Sequence, residues 1–202
     1  MDKKTAESRQ SYNQKAKDYP NTPEGRFTLS YNHLISEVVR LGNGDTILDV
    51  ACGDGRLLQM LAQQAKVNAH GVDVSEEMIK SASAANKEMS FQVAAADVLP
   101  FENDHFDLVT VCCAFHHFTQ PEAFMTEAYR IIKPGGQLLI ADPCLPPVVR
   151  QLENLILPLL KMGDVKCYSQ KELTDFYKKG NFKEISAVKK GSQLLMTGVK
   201  IQ

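Results

Sequence analysis

The sequence predicts an α/β fold: a Rossmann-like, doubly wound and mostly parallel sheet that ends in an antiparallel hairpin, with helices on both faces. Strand-like apolar runs alternate with helical patterns between residues 46 and 141, which is typical of a parallel sheet with right-handed crossovers. The last two β-type segments, FKEISAVKK and QLLMTGVKI, flank Gly191-Ser192. Two strands separated by so short a turn form an antiparallel hairpin.

The chain has 202 residues and a formal net charge of −1. This length predicts a single domain over 1–202, with an N-terminal helical cap (1–42), a core (45–142) and C-terminal helices with the hairpin (143–202). Without a Lys/Arg block, the composition gives no support for a nucleic-acid or membrane surface. Neither a signal region nor a membrane-length apolar run is visible, so we expect a cytoplasmic protein with no membrane span.

The cysteines are five in number and include no CxxC pair. They predict a reducing environment, with no disulfide framework and no metal site. They are Cys52, Cys112, Cys113, Cys144 and Cys167.

The first forty residues are predicted to be helical, with Thr22 as an N-cap, Pro23 at the first helical position and Gly42 at the helix end. The following strands are predicted over 46–50, 68–72, 90–94, 107–113 and 137–141. Between these strands, helices are predicted over 56–64, from an N-cap at Ser75, and over 122–132, where the KPGG segment at 133–136 ends the helix. After the last of these strands, a helix is predicted over 148–161, with a kink or stop at Pro158. Another is predicted from the capping box at 169–172 to Gly180.

The turn after the first predicted strand, within DVACGDG at 49–55, suits a close approach of main chain to a ligand. Ligands bind beyond the carboxyl ends of the strands in an open parallel sheet. Gly53 and Gly55 have no Cβ, accept positive φ angles and precede a helix N-terminus. The alternative interpretation is a tight βα turn that binds nothing.

Two acidic residues follow the next two strands. Asp73 comes twenty residues after Gly53, a spacing that suits a carboxylate accepting hydrogen bonds from a ribose diol; alternatively it caps a helix or lies in a solvated loop. Asp97 suits acceptance from an exocyclic amine, although loop aspartates are also common turn formers.

These motifs, in this order, resemble the class I S-adenosylmethionine (SAM)-dependent methyltransferases, especially the small-molecule group that includes the ubiquinone/menaquinone biosynthesis enzymes. The resemblance covers about residues 45–142 and rests on five segments in register: ILDVACGDGRL, GVDVS, AAADVLPF, FDLVTVCCAFHHF and RIIKPGGQLLIAD. It implies that SAM is the cofactor and that 45–142 is the SAM-binding core. The family often has Gly where this sequence has Ala51, which implies an altered fit.

The resemblance also implies a role for each matching residue. Asp49 would order the first loop, and Ala51, Gly53 and Gly55 would line the methionine part of SAM. Asp73 would bind the ribose hydroxyls, and Asp97 and Val98 would bind the adenine. Val74 and Met78 would pack on the adenine ring, and Cys113 and Ala114 would lie near the sulfonium.

A dinucleotide-binding interpretation conflicts with the spacing of the first turn. Its fingerprint is GxGxxG, whereas the matching stretch here is ACGDGR. Two phosphates would also favour positive charge, and Asp49 and Asp54 are better suited to a cationic ligand.

His116 and His117, just past the fourth strand, are the candidate general bases, because imidazole titrates near neutral pH. Alternatively, one packs against the next helix and the other shapes the pocket. Tyr12 and Tyr19 are candidate lid and substrate-contact residues, with simple packing of the N-terminal segment as the alternative.

The predicted function is methyl transfer from SAM to a small-molecule acceptor. The alternatives are a non-catalytic SAM-binding regulatory protein and a nucleic-acid methyltransferase. The latter usually has an Asn/Asp-Pro-Pro-aromatic turn after the fourth strand, as the resemblance implies, and that place here reads AFHH.

Overall fold

A computed structural model describes residues 1–160 and 162–201. Seven strands of the described chain form one sheet. The strands are β1 (Thr46–Val50), β2 (Asn68–Asp73), β3 (Ser90–Val93), β4 (Phe106–Cys112), β5 (Ile132–Pro143), β6 (Lys183–Lys190) and β7 (Gln193–Val199). The α-helices are α1 (Lys3–Lys15), α2 (Pro23–Val38), α3 (Arg56–Ala62), α4 (Glu76–Ala85), α5 (Pro121–Ile131), α6 (Pro147–Ile156) and α7 (Gln170–Lys179).

The strand order is β3-β2-β1-β4-β5-β7-β6. Strands β1 to β5 are parallel, and β7 runs antiparallel to both β5 and β6. The predicted fold class is therefore confirmed, including the terminal hairpin. The chain starts in the middle of the sheet, runs outward to β3 and then returns to β4, so the carboxyl ends of β1 and β4 lie side by side where the order reverses.

Helices cover both faces of the sheet, as the alternation of apolar side chains along the strands requires. In β1, Leu48 and Val50 belong to a buried cluster that also contains residues of α5 and α7. Ile47 points the other way, into a second cluster that contains residues of α2 and α3. Asp49 shares the face of Ile47, and this alternation directs a carboxylate into the protein at the end of a buried strand.

The predicted helix starts are confirmed by their caps. The Thr22 side chain accepts from the main-chain N–H of Gly25, and Ser75 accepts from that of Met78. Ser169 and Glu172 form the reciprocal hydrogen bonds of a capping box. Each cap satisfies main-chain donors that have no partner in the first helical turn.

Two predicted boundaries are wrong by four residues or more. Helix α2 ends at Val38 and not at Gly42, because Val39 turns to an extended conformation and is buried. Strand β5 begins at Ile132 and not at residue 137, because Ile132 pairs with Phe106 and the main chain of the KPGG segment bonds to that of Lys200.

Helix α6 ends at Ile156 and continues as a short 3-10 turn over Leu157–Leu159. The predicted end of this helix at Lys161 lies outside the described residues. Within the described part of the chain, no helix combines the length and the apolar character that a membrane crossing requires.

Candidate active site

A cavity that is partly open to solvent lies beyond the carboxyl ends of β1, β2 and β4. Eleven of the residues singled out from the sequence lie on its wall, contributed by the three strand ends and by the N-terminal segment. They are Tyr12, Tyr19, Asp49, Ala51, Gly53, Asp73, Val74, Asp97, Cys113, Ala114 and His117.

Four of the predicted site residues lie off this wall. Gly55 is the N-cap of α3 and faces Phe91. Met78 is fully buried with Tyr19 beneath the N-terminal segment. Val98 is 71% exposed, and His116 lies behind the wall, against Asp142.

The turn after β1 is tightly wound. Ala51, Gly53 and Gly55 all adopt the left-handed conformation, with φ of 59°, 54° and 79°. Glycine accepts this conformation freely, whereas the Cβ of alanine makes it strained by about 1–2 kcal/mol. The structure thus gives a physical reason for a preference for glycine at position 51.

Replacement of Ala51 by glycine is expected to stabilise the protein by about 0.5–1 kcal/mol, because relief of the strain exceeds the extra chain entropy of glycine. Urea denaturation measures this difference. The matched control is Ala84→Gly on α4, where the helical backbone favours alanine and the same change should destabilise by about 0.5–1 kcal/mol. Equal destabilisation by both substitutions would contradict the strain at Ala51.

Asp73 is buried at the end of β2 and is held by main-chain donors. Its Oδ2 accepts from the N–H of Gly53 at 2.9 Å, and its Oδ1 accepts from that of Ser75 at 2.8 Å. Burial raises the pKa of Asp73 to about 6, although these hydrogen bonds act in the opposite direction. Each carboxylate oxygen keeps further acceptor capacity for a ligand in the cavity.

Asp49 is buried at the end of β1, where its Oδ1 accepts from the hydroxyl of Thr110 at 2.7 Å. Burial raises its pKa to about 7, and the nearby carboxylates of Asp73 and Asp54 act in the same direction. Three carboxyl groups in one cavity favour a ligand that carries positive charge, and Arg56 neutralises only Asp54 directly, at 2.8 Å.

The N-terminal segment closes over the cavity. The rings of Tyr12 and Tyr19 meet edge to face with their centroids 5.9 Å apart. Helix α1 is attached to the N-terminus of α4 through Asn13, whose Oδ1 accepts from the hydroxyl of Ser75 at 2.7 Å. The guanidinium of Arg56 lies over the Tyr19 ring, 5.4 Å from its centroid, and donates to the Gly25 carbonyl. A lid made of α1 and the following 3-10 turn, Ala16–Asn21, thus covers the strand ends.

The two histidines after β4 have different environments. The Nδ1 of His116 lies 2.9 Å from Oδ1 of Asp142. Burial lowers the pKa of His116, but Asp142 and Asp164 outweigh it and the net shift is upward. The Nε2 of His117 lies 3.2 Å from the hydroxyl of Tyr12. Burial, reinforced by His116 and opposed by the main chain of Gly163, places the pKa of His117 well below its usual value, so this ring is neutral.

Several polar residues of this region were not predicted. Asp142 ends β5, and the rule about strand ends applies to it as well. Gln120 donates to Asp97 at 2.9 Å, and Asn32 on α2 lines the cavity. Asp164 lies in a loop without a recognisable motif and meets the histidines only through the tertiary fold.

Comparison with known proteins gives a consistent result. Residues 48–140 match a family model described as a methyltransferase domain. A demethylmenaquinone methyltransferase of Clavibacter sepedonicus is 36% identical in an alignment of 133 residues that covers 62% of this chain and 53% of that protein. A demethylmenaquinone methyltransferase of Thermus thermophilus is 34% identical in an alignment of 125 residues that covers 56% of this chain and 57% of that protein. The chain thus spans about half the length of these curated relatives.

Solved structures share the fold. The YcgJ protein from Bacillus subtilis superposes with a TM-score of 0.78 at 19% identity, over 86% of this chain and 99% of that one. A putative methyltransferase in complex with the Haloferax volcanii Trm112 methyltransferase activator gives a TM-score of 0.80 at 20% identity, over 95% of this chain and 98% of that one. The matched segment, 48–140, contains the carboxyl end of β1, most of β5 and the strand ends between them. Over residues 48–140 this chain is therefore similar to a methyltransferase domain, and the curated relatives that it resembles are demethylmenaquinone methyltransferases.

Proposed function

We propose that this protein binds SAM in the cavity beyond β1, β2 and β4 and transfers its methyl group to a small-molecule acceptor. The observation that carries the proposal is the buried carboxylate of Asp73, which two main-chain N–H groups hold in place on the cavity wall. A fixed carboxylate at this strand end suits a ribose diol, and the surrounding acidic groups suit a ligand that carries a sulfonium and an ammonium.

Each predicted cofactor-binding residue has a proposed role, whether it lies on the wall or beside it. Asp73 accepts from the ribose hydroxyls, and Asp97, supported by Gln120, accepts from the adenine amine. Asp49, Ala51 and Gly53 are proposed to contact the methionine part, and Gly55 to shape the same turn. Val74 and the buried Met78 are proposed to form the adenine side of the site, with the exposed Val98 at its rim. Cys113 and Ala114 are proposed to lie near the sulfonium.

The sulfonium already carries a good leaving group, so the protein has to align the acceptor with the methyl group and exclude water. Alignment can lower the barrier by up to ~7–11 kcal/mol. The lid formed by α1 is suited to both tasks, because Tyr12 and Tyr19 close the cavity on the side opposite the strand ends.

A general base would assist an acceptor that loses a proton. His117 is neutral, and its Nε2 contacts the Tyr12 hydroxyl at 3.2 Å, so a proton can pass from an acceptor through Tyr12 to His117. His116 is less suited, because it lies off the cavity wall and Asp142 and Asp164 favour its charged form.

The acceptor class is taken from the relatives. Curated proteins similar to this chain are named for demethylmenaquinone methylation, so we propose an aromatic quinol-type acceptor as the first to test. A cytoplasmic location is also proposed, and it is supported by five cysteines that are all free and buried.

The test is release of S-adenosylhomocysteine from SAM in the presence of a panel of small acceptors that includes quinols. His117→Gln is expected to reduce kcat by about 10²–10⁴-fold and to leave the Kd for SAM unchanged. Tight SAM binding without release of the product for any acceptor would favour the non-catalytic alternative. An unchanged kcat in His117→Gln would remove the proposed base.

A further inference from the structure

Three side chains direct ligand atoms at one point behind the cavity wall. The Oδ1 of Asp164 lies 3.5 Å from Nε2 of His116 and 3.6 Å from Nδ1 of His117. All three ligand atoms lie within 4.8 Å of one another. Atoms that bind one zinc ion at about 2.0–2.2 Å are roughly 3–4 Å apart, so a small contraction would bring this set to the dimensions of a metal site.

The Nδ1 of His117 is buried and has no hydrogen-bond partner among the described residues. A buried polar atom left in this state costs about 1–3 kcal/mol. Neutral imidazole binds metals through a ring nitrogen that has no other partner, and this nitrogen of His117 faces the other two ligand atoms.

The His116 ring is oriented from behind. Its Nδ1 lies 2.9 Å from Oδ1 of Asp142, and the Oδ2 of the same carboxylate accepts from the main-chain N–H of His116 at 3.0 Å. Asp142 is itself buried at the end of β5. A carboxylate that accepts from one ring nitrogen, and so leaves the other free to ligate, is the usual second layer of a histidine–metal site.

We propose that His116 Nε2, His117 Nδ1 and Asp164 Oδ1 bind a divalent transition-metal ion, with Zn²⁺ as the best match to two imidazoles and one carboxylate. Water would complete the coordination. The cysteine spacings predicted no metal site. The spacing of residues along the sequence does not indicate the site proposed here, because its ligands come from two adjacent histidines and a distant loop. The competing arrangement is a protonated His116 between the carboxylates of Asp142 and Asp164.

The test is calorimetric titration of the full chain with Zn²⁺, together with visible spectroscopy of the Co²⁺ derivative. We expect about one equivalent of Zn²⁺ per chain, no comparable uptake of Mg²⁺, and Co²⁺ bands of nitrogen and oxygen ligation without a thiolate charge-transfer band. Asp164→Ala and His116→Ala are expected to weaken Zn²⁺ binding by at least about tenfold, consistent with the loss of one ligand.

His105→Ala is the matched control, because this exposed histidine lies outside the cluster, and it should bind Zn²⁺ as the parent does. Asp164→Asn, which keeps the size of the side chain, serves if the alanine variants do not fold. The absence of a stoichiometric Zn²⁺ site, equal binding by parent and variants, or thiolate bands in the Co²⁺ spectrum would overturn the proposal. A parallel SAM titration separates the two proposals, since each binding event is measured without the other.

Discussion

Replacement of Asp73 by alanine is expected to weaken SAM binding by more than about tenfold, because each charge-assisted hydrogen bond to the ribose contributes about 1.5–3 kcal/mol. Isothermal titration at pH 8 measures the change, at a pH where the carboxylate, with its pKa of about 6, is ionised in the free protein.

The alanine variant also removes the acceptor of the Gly53 and Ser75 N–H groups, so its fold has to be checked by circular dichroism. Asp73→Asn keeps one acceptor oxygen and separates loss of the ribose contact from loss of the turn. Asp175→Ala, which removes a carboxylate paired with Lys171 on α7, is the control and should bind SAM normally. Unchanged affinity in both Asp73 variants would remove the ribose assignment.

Asp49→Asn is expected to stabilise the ligand-free protein at pH 8 and to weaken its binding of SAM. The folded state raises the pKa of Asp49 from 3.8 to about 7. At pH 8 the carboxyl is charged in a buried site, which costs stability on the order of 1–4 kcal/mol. Asparagine carries no charge, and its carbonyl can still accept from Thr110.

The sign of the pH dependence follows from proton uptake. Between about pH 4 and pH 7 the folded state holds a proton on Asp49 that the unfolded state has lost. The contribution of this group to stability therefore falls as the pH rises through that window and is fully unfavourable above it. Urea denaturation should show an advantage of Asp49→Asn that is larger at pH 8 than at pH 5 by about 2–3 kcal/mol, because only the first part of the window has been crossed at pH 5. An equal advantage at both values would contradict the raised pKa.

Ligand binding should show the complementary effect. A cationic ligand favours the ionised carboxyl, so the affinity of the parent protein for SAM should rise by about tenfold between pH 6 and pH 8. This rise should be much reduced in Asp49→Asn, whose affinity should be lower at pH 8. Asp175→Asn provides the control for both experiments.

The sequence predicted correctly those features whose structure depends on interactions within one short segment. Strand β1 was predicted with its observed bounds, because an apolar run ends there in a polar turn. The caps at Thr22, Ser75 and Ser169 were predicted for the same reason, since a side chain and a main-chain N–H three residues away form each of them.

The features that the sequence did not predict depend on contacts between residues that are far apart in the chain. Strand β5 starts early because Ile132 pairs with Phe106. The cluster behind the cavity requires β4, β5 and the loop around Asp164 to meet, and no periodicity connects them. The strain at Ala51 depends on a φ angle that the turn imposes, so the unusual residue was visible in the sequence and its physical cost was not.

The most direct measurement is a crystal structure of the full chain with SAM or S-adenosylhomocysteine. The nucleoside should lie across the carboxyl ends of β1, β2 and β3, with both ribose hydroxyls on Asp73 and the sulfur close to Cys113. A complex in which this cavity holds no nucleoside, or binds a diphosphate at the turn after β1, would contradict the proposal that the cavity is a SAM site.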